Sequence, residues 1–162
     1  MLIRDVVEGD LPAVVAIRND VVATSTAIFS EEPSTLDELR AWWQGRVAQG
    51  YPVLVAAEGD DVLGYASFGD FRPWPGYRFT VEHSVHVRAD ARRRGLGRAL
   101  VQELVERARA QGKHVLVGGI DADNDASIRL HEQLGFVRVA HMPEVGFKWD
   151  RRLDLVLMQL TL

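Results

Sequence analysis

Cysteine is absent from the 162 residues, which excludes disulfides, zinc–thiolate sites and cysteine nucleophiles and suits a reducing compartment. No Lys-Ser or Lys-Thr pair occurs anywhere, so the G-x-x-x-x-G-K-[ST] phosphate loop of nucleotide hydrolases is excluded too. Long apolar runs are missing, because charged residues interrupt every stretch that approaches membrane-spanning length. Met1 to Asp5 also lacks the basic-then-apolar order of a secretion signal, so the expectation is a soluble, cytoplasmic chain. Positive charge is not in excess either: 19 Lys and Arg stand against 23 Asp and Glu, a net charge of −4. Neither nucleic acid nor a membrane is an expected partner, and no metal is an expected cofactor. With no repeat, low-complexity tract or composition shift, residues 1–162 read as a single domain with one core.

Against this acidic background one segment stands out. Val85 to Val87 reads as a strand end, Arg92-Arg93-Arg94-Gly95-Leu96-Gly97-Arg98 as a basic turn, and Leu96, Leu100 and Leu104 as the buried stripe of a helix that starts there. Glycines at such a turn let backbone approach a ligand, and the first-turn N–H groups of the helix point at the same place, which suits phosphate. The plainer reading is an exposed basic turn between two core elements. A dinucleotide fingerprint would need a third glycine where Leu100 stands, so that class is disfavoured. What remains is R-x-x-G-x-G, Arg92 to Gly97, directly after a valine-rich strand.

Turn and cap signals divide the rest into the order β-α-α-β-β-β-α-β-α-β-β. Strands are expected over Leu2 to Val6, Val53 to Glu58, Val62 to Phe68, Phe79 to Val87, His114 to Ile120, Phe136 to His141 and Leu153 to Leu160. Helices are expected from Asp10-Leu11-Pro12 to about Val22, from Ser34 or Thr35 to about Gln49, from Gly95 to Ala110, and from Ala126 to Leu134. A loop carrying Pro143 and Gly146 separates the last two strands. This order implies an α/β sandwich with a mixed, strongly curved sheet flanked by helices.

Three constellations carry chemistry. Thr80, Glu82, Ser84 and His86 share one face of a strand that runs into the basic turn, while Val81, His83, Val85 and Val87 share the other. A half-buried Glu82 would have a raised pKa and suit a general base for an amine; pairing with Arg72 or Arg78 for stability is the competing reading. Asn124, Ser127, His131 and Gly135-Phe136 form N-x-x-S-x-x-x-H-x-x-x-G-F after a buried strand. Phe68 to Phe79 packs five aromatics and two arginines into twelve residues, a lid suited to a small polar anion, with Arg72 and Trp74 nearest its tip.

The turn Arg92 to Gly97 resembles the pyrophosphate-binding motif of the GCN5-related N-acetyltransferases, and Asn124 to Phe136 follows it at that superfamily's separation, one helix and one strand later. Gly64-Tyr65-Ala66-Ser67-Phe68-Gly69-Asp70, Thr80-Val81-Glu82-His83-Ser84-Val85, Ala126-Ser127-Ile128-Arg129-Leu130-His131 and Leu153-Asp154-Leu155 extend the likeness end to end, to the phosphinothricin and methionine sulfoximine N-acetyltransferase branch. The resemblance implies a homodimeric enzyme that moves acetyl from acetyl-coenzyme A to the α-amine of a small amino-acid analogue within a ternary complex. It implies that Val85, His86 and Val87 line the pantetheine arm, and that Arg93, Arg94, Gly95, Leu96, Gly97 and Arg98 hold the pyrophosphate. Asn124 and Gln133 fall on the cofactor's other side. Arg72, Pro73, Trp74, Glu82, His83 and Ser84 match substrate-contacting stretches, with Glu82 as general base. His131 replaces the tyrosine of many family members, which can protonate the departing thiolate; it is either that acid or only a cofactor contact. His86 and Phe71 replace an expected tyrosine and tryptophan. A peptide or protein N-terminus as acceptor, or a non-catalytic acyl-coenzyme A-binding module, are the competing functions.

Overall fold

The computed structural model describes residues 1–162. Its regular elements follow the expected order: β1 (Leu2–Asp5), α1 (Leu11–Thr24), α2 (Leu36–Ala48), β2 (Val53–Glu58), β3 (Asp61–Asp70), β4 (Thr80–Val87), α3 (Leu96–Ala110), β5 (Val115–Asp121), α4 (Asp125–Gln133), β6 (Val137–Lys148) and β7 (Arg151–Thr161). Local chemistry sets the boundaries. Pro12 sits in the first turn of α1, where its missing N–H is not needed. Thr35 and Glu38 close a capping box on α2, and Asn124 Oδ1 accepts the Ser127 N–H to start α4.

The strands form one seven-stranded sheet in the order β1-β2-β3-β4-β5-β7-β6. Helix α3 lays Leu96, Leu100, Val101, Leu104 and Ala108 against Leu54, Ala66, Phe68, Val81 and Leu116 on one face. Helices α1 and α2 cover the other, with Leu11, Val14, Ile17 and Leu39 on Val53, Val55, Val62 and Tyr65. Each fully buried leucine of this kind contributes about 1.5–3 kcal/mol, so the two layers hold the sheet firmly from both sides.

One pairing positions the site. β4 and β5 are parallel, and their register runs only from Thr80↔Val115 to His83↔Gly118. Beyond that point β4 follows its antiparallel neighbour β3 as far as Val87↔Gly64, and β5 follows β7 as far as Asp121↔Leu155. Each strand leaves with its own partner, and the sheet splits open between them.

The expected loop between the last two strands is instead part of a long edge strand. β6 continues through Pro143 and Gly146, with register irregularities between Arg138 and Ala140 and between Met142 and Gly146. Proline is tolerated because an edge strand has a free side. Asp154 braces the irregular stretch, accepting from His141 Nε2 at 2.7 Å and from the Glu144 N–H at 2.8 Å. Gly146 makes room for the Phe29 ring, whose Cε2 lies 2.4 Å from where a Cβ would stand. Along the exposed side β6 presents Val137, Val139, Met142, Val145 and Phe147 to solvent.

Candidate active site

The split between β4 and β5 opens into a cleft of about 850 Å³ lined by Val85, His86, Val87, Arg92, Arg93, Gly95, Leu96, Gly97, Arg98, Asn124 and Gln133 among others. Two sets of unused backbone donors face it. The Arg88 N–H binds the Leu63 carbonyl of β3 at 2.8 Å, so antiparallel alternation turns the Val85 and Val87 N–H groups toward the open side. At the start of α3 the Ala99 N–H is the first to find an acceptor, Gly95 O at 3.0 Å, and Gly95 offers no side-chain cap. The amides of Leu96, Gly97 and Arg98 are therefore free donors at a positive helix end, the arrangement that holds a phosphate. Gly95 (φ +78°) and Arg93 (φ +63°) both adopt the left-handed conformation, uncommon for arginine and typical of functional turns.

The basic residues do not all face this space. Arg93 and Arg98 line it, as does Arg92, and Arg98 donates to Gln133 Oε1 at 2.9 Å across the cleft. Arg94 points away and forms an ion pair with Glu58. Asn124 lines the cleft while its Oδ1 is committed to the α4 cap.

A second, narrower opening of about 220 Å³ continues along the split, lined by Ala27, Ile28, His83, Ser84, His86, Gly119, Asp121 and His131, among others. The connector between α1 and α2 thus contributes Thr26, Ala27 and Ile28 to the two openings, which the sequence did not suggest. Lys148 holds that connector in place. Its buried ammonium donates to the carbonyls of Val22, Ser25 and Ile28 at 2.7, 2.6 and 2.9 Å.

Glu82 lies on the α1/α2 face, half-buried, with Oε2 3.2 Å from where a Cβ on Gly119 would be. It has no ion pair or hydrogen bond in the protein, so burial pushes its carboxyl above the ordinary range, opposed by Arg72 and then Arg46. Ser84 is exposed on the same face. His86 stacks on Tyr65 with ring centroids 5.4 Å apart, and burial, aided by Arg18, lowers its pKa to about 4. The loop after β3 stays open: Trp74 is 70% exposed, and the Arg72 guanidinium lies over the Phe71 ring at 4.8 Å. Arg72 nevertheless reaches Glu82 with its field; Pro73 stays exposed at the tip.

His83 does not join Glu82 and Ser84. It projects to the α3/α4 face and is buried, its Nδ1 2.9 Å from Val117 O and its Nε2 2.9 Å from His131 Nε2. His131 Nδ1 in turn lies 2.7 Å from Ser127 O. Phe136 packs against both rings, at 5.5 and 5.0 Å. Gly118 provides the space, since a Cβ there would stand 2.9 Å from His83 Cε1. Burial holds both imidazoles below the usual histidine range, His83 at about 3. The two carbonyls only accept, so a neutral pair that gives both Nδ1–H groups to Val117 O and Ser127 O has no proton left on either facing Nε2.

Arg46 was not apparent as a site residue from the sequence. It comes from the last turn of α2, with its guanidinium 5.8 Å from the Trp42 ring one turn earlier, and lies on β3 over Gly69. The i, i+4 spacing of Trp42 and Arg46 is visible in the sequence; the glycine beneath them, opposite Glu82 in the β3–β4 register, is not.

Residues 14–136 match the model of the acetyltransferase (GNAT) family. An L-methionine sulfoximine/L-methionine sulfone acetyltransferase from Pseudomonas paraeruginosa is 55% identical over 161 residues, covering 99% of this chain and 94% of that protein. A phosphinothricin N-acetyltransferase from Alcaligenes faecalis is 40% identical, covering 99% and 82%. Among solved structures, a ribosomal-protein-alanine N-acetyltransferase from Brucella melitensis superposes with a TM-score of 0.99 at 46% identity, covering all of both chains. The yncA acetyltransferase from Salmonella typhimurium, determined with its cofactor acetyl-CoA, superposes at 0.97 with 48% identity, covering 99% and 93%. With this match over most of its length, a seven-stranded mixed sheet split beside a helix N-terminus, and these relatives, the chain belongs to the GNAT acetyltransferase family and is an acetyltransferase of its methionine sulfoximine and phosphinothricin branch.

Proposed function

We propose that the protein, acting as one domain over residues 1–162, acetylates the α-amine of a small amino acid of the methionine sulfoximine, methionine sulfone or phosphinothricin type. Acetyl-coenzyme A is the donor, and transfer is direct within a ternary complex. The observation that carries this reading is a half-buried carboxylate without a partner, Glu82, on the strand whose free edge begins two residues later. The substrate classes are those named for the relatives at 55% and 40% identity.

The donor supplies an activated acetyl thioester. The free amides of Leu96, Gly97 and Arg98, with Arg93 and Arg98, take its pyrophosphate, and Asn124 and Gln133 face it from the opposite wall. The open edge of Val85 to Val87 pairs with the pantetheine amides much as a neighbouring strand would. Glu82 removes a proton from the substrate ammonium, and a free backbone N–H of the open edge near Val87, that of Val85 on the Glu82 side, receives the charge that develops on the acetyl oxygen. His131 supports the sulfur end as a positioning contact, because burial keeps the ring neutral and its single N–H, given from Nδ1 to Ser127 O, leaves no proton on Nε2 to donate. A thiol of ordinary pKa, about 8.5, leaves readily enough to take its proton from water. Arg72, Pro73 and Trp74 stand at the rim where the rest of the substrate emerges. The exposed apolar side of β6 is the face we assign to homodimer formation.

The B. melitensis neighbour keeps a second reading in view, a protein N-terminus as acceptor. Thiol release assayed over methionine sulfone, methionine sulfoximine, phosphinothricin, common amino acids and alanine-starting peptides separates the two. Turnover on the sulfone and sulfoximine exceeds that on peptides by at least about tenfold in our reading; the reverse order overturns it. Release from no amine at all, with acetyl-coenzyme A still bound, would leave the non-catalytic binding module.

A further inference from the structure

Arg46 and Arg18 are held in an unusual state for an arginine, half-buried with no carboxylate partner; Arg18 lies near Tyr65 and His86, Arg46 beside Glu82. Arg4, Arg88 and Arg107 are also half-buried, and each grips a carboxylate: Asp10, Asp61 and Asp5 respectively. Arg46 grips none and has no hydrogen-bond acceptor within the protein. The adjacent Asp70 is occupied by Tyr51 Oη and by Gln49 Nε2. Partial burial of an unpaired guanidinium costs free energy, and here it lowers the pKa of the group.

The fold nevertheless makes room for it. Arg46 Nη1 lies 1.1 Å from the point a Cβ on Gly69 would occupy, so only glycine at 69 lets the guanidinium rest on the strand. Gly69 is the register partner of Glu82, and cross-strand partners share a face. A cation from α2 resting over β3 and a carboxylate on β4, neither with a protein partner, therefore stand side by side. Their combined charge pattern complements a zwitterion whose ammonium and carboxylate are two bonds apart.

We propose that Arg46 binds the α-carboxylate of the acceptor while Glu82 receives its ammonium, which makes Arg46 the residue that selects free α-amino acids over other amines. The assignment rests on the reading above and divides the two arginines: Arg46 on the floor takes the carboxylate, and Arg72 at the rim contacts the other end. It also predicts rejection of peptides. A peptide N-terminus carries an amide where the free amino acid has its carboxylate, leaving Arg46 desolvated and unpaired.

The test compares methionine sulfone with 3-(methylsulfonyl)propan-1-amine, the same molecule without its carboxylate, on wild type, Arg46→Gln and Gly69→Ala. A charge-assisted bond of about 1.5–3 kcal/mol corresponds to roughly a 10- to 150-fold effect. Arg46→Gln raises KM for the sulfone by that factor with kcat changed only a few-fold, and leaves kcat/KM for the decarboxylated amine within a few-fold of wild type. Gly69→Ala keeps the charge but displaces it, and produces the same selective loss in a protein that retains Arg46. Equal losses on both amines, or an unchanged KM for the sulfone, overturn the assignment. Wild-type inactivity on every free amino acid overturns the underlying reading as well, and is seen without any variant.

Discussion

Glu82→Gln lowers turnover at neutral pH by about two to four orders of magnitude, the usual contribution of a positioned general base. The amide keeps the shape of the side chain and removes its ability to take a proton. Because burial raises the Glu82 pKa, the wild-type rate falls on the acid side beginning above the ordinary carboxylate range. In the variant that acid limb disappears, and the residual rate rises with pH as the amine deprotonates unaided. Stability changes in the opposite sense. A carboxyl whose folded pKa is raised disfavours the folded state once pH rises through that value, so the neutral glutamine melts at the same temperature or higher. A pH series of kcat, read beside a thermal scan, checks both. A variant with a near-wild-type rate across the series removes Glu82 as the base.

Lys148→Met produces the second large effect, on stability and on the donor site together. The ammonium is fully buried and donates to three carbonyls, Val22 in the last turn of α1, Ser25 at its C-cap and Ile28 in the following connector. Removing it leaves those acceptors buried without donors, at a cost of about 3–5 kcal/mol. A melting temperature lower by roughly 10 °C follows for a chain of this size. The released segment includes Thr26, Ala27 and Ile28, which line the openings on either side of His86, so KM for the donor rises as well. Lys148→Arg restores little, because a planar guanidinium does not present three donors in the directions of an ammonium. Calorimetry and a donor titration measure the two effects, and an unchanged melting temperature would show that the three bonds contribute nothing.

Local signals explain what could be read from the chain. The stripe Leu96, Leu100, Leu104, the proline in the first turn of α1 and the Thr35 cap act over a few residues, and the helices appear within about a turn of expectation. Alternation along β4 placed Glu82, Ser84 and His86 on one face and His83 on the other, as found. The resemblance groups His83 with the substrate contacts as part of a continuous stretch, whereas alternation puts its side chain on the opposite face, against Val117 O and His131. Arg46 and Lys148 escaped notice for a different reason. Each acquires its environment from partners remote in sequence, Gly69 for one and the end of α1 for the other, and nothing within their own helix or strand marks them. Pro143 and Gly146 signal a loop locally, because their cost within a strand is removed only by the edge position of β6.

The short β4–β5 register also divides the sheet dynamically. The hydrogen-bonded sheet passes from β1–β4 to β5–β7 through a register of four residue pairs, while the helices pack against it from both sides. Amide hydrogen exchange should therefore report two protected blocks with a fast-exchanging line between them, in which Val85 and Val87 exchange early in the free protein. A donor that bridges the line acts as a missing strand. Its binding slows exchange on both banks at once and adds about 2.7 kcal/mol of stability at a hundredfold excess over its Kd. The cell's supply of acetyl donor would then set how long this protein lasts as well as how fast it works.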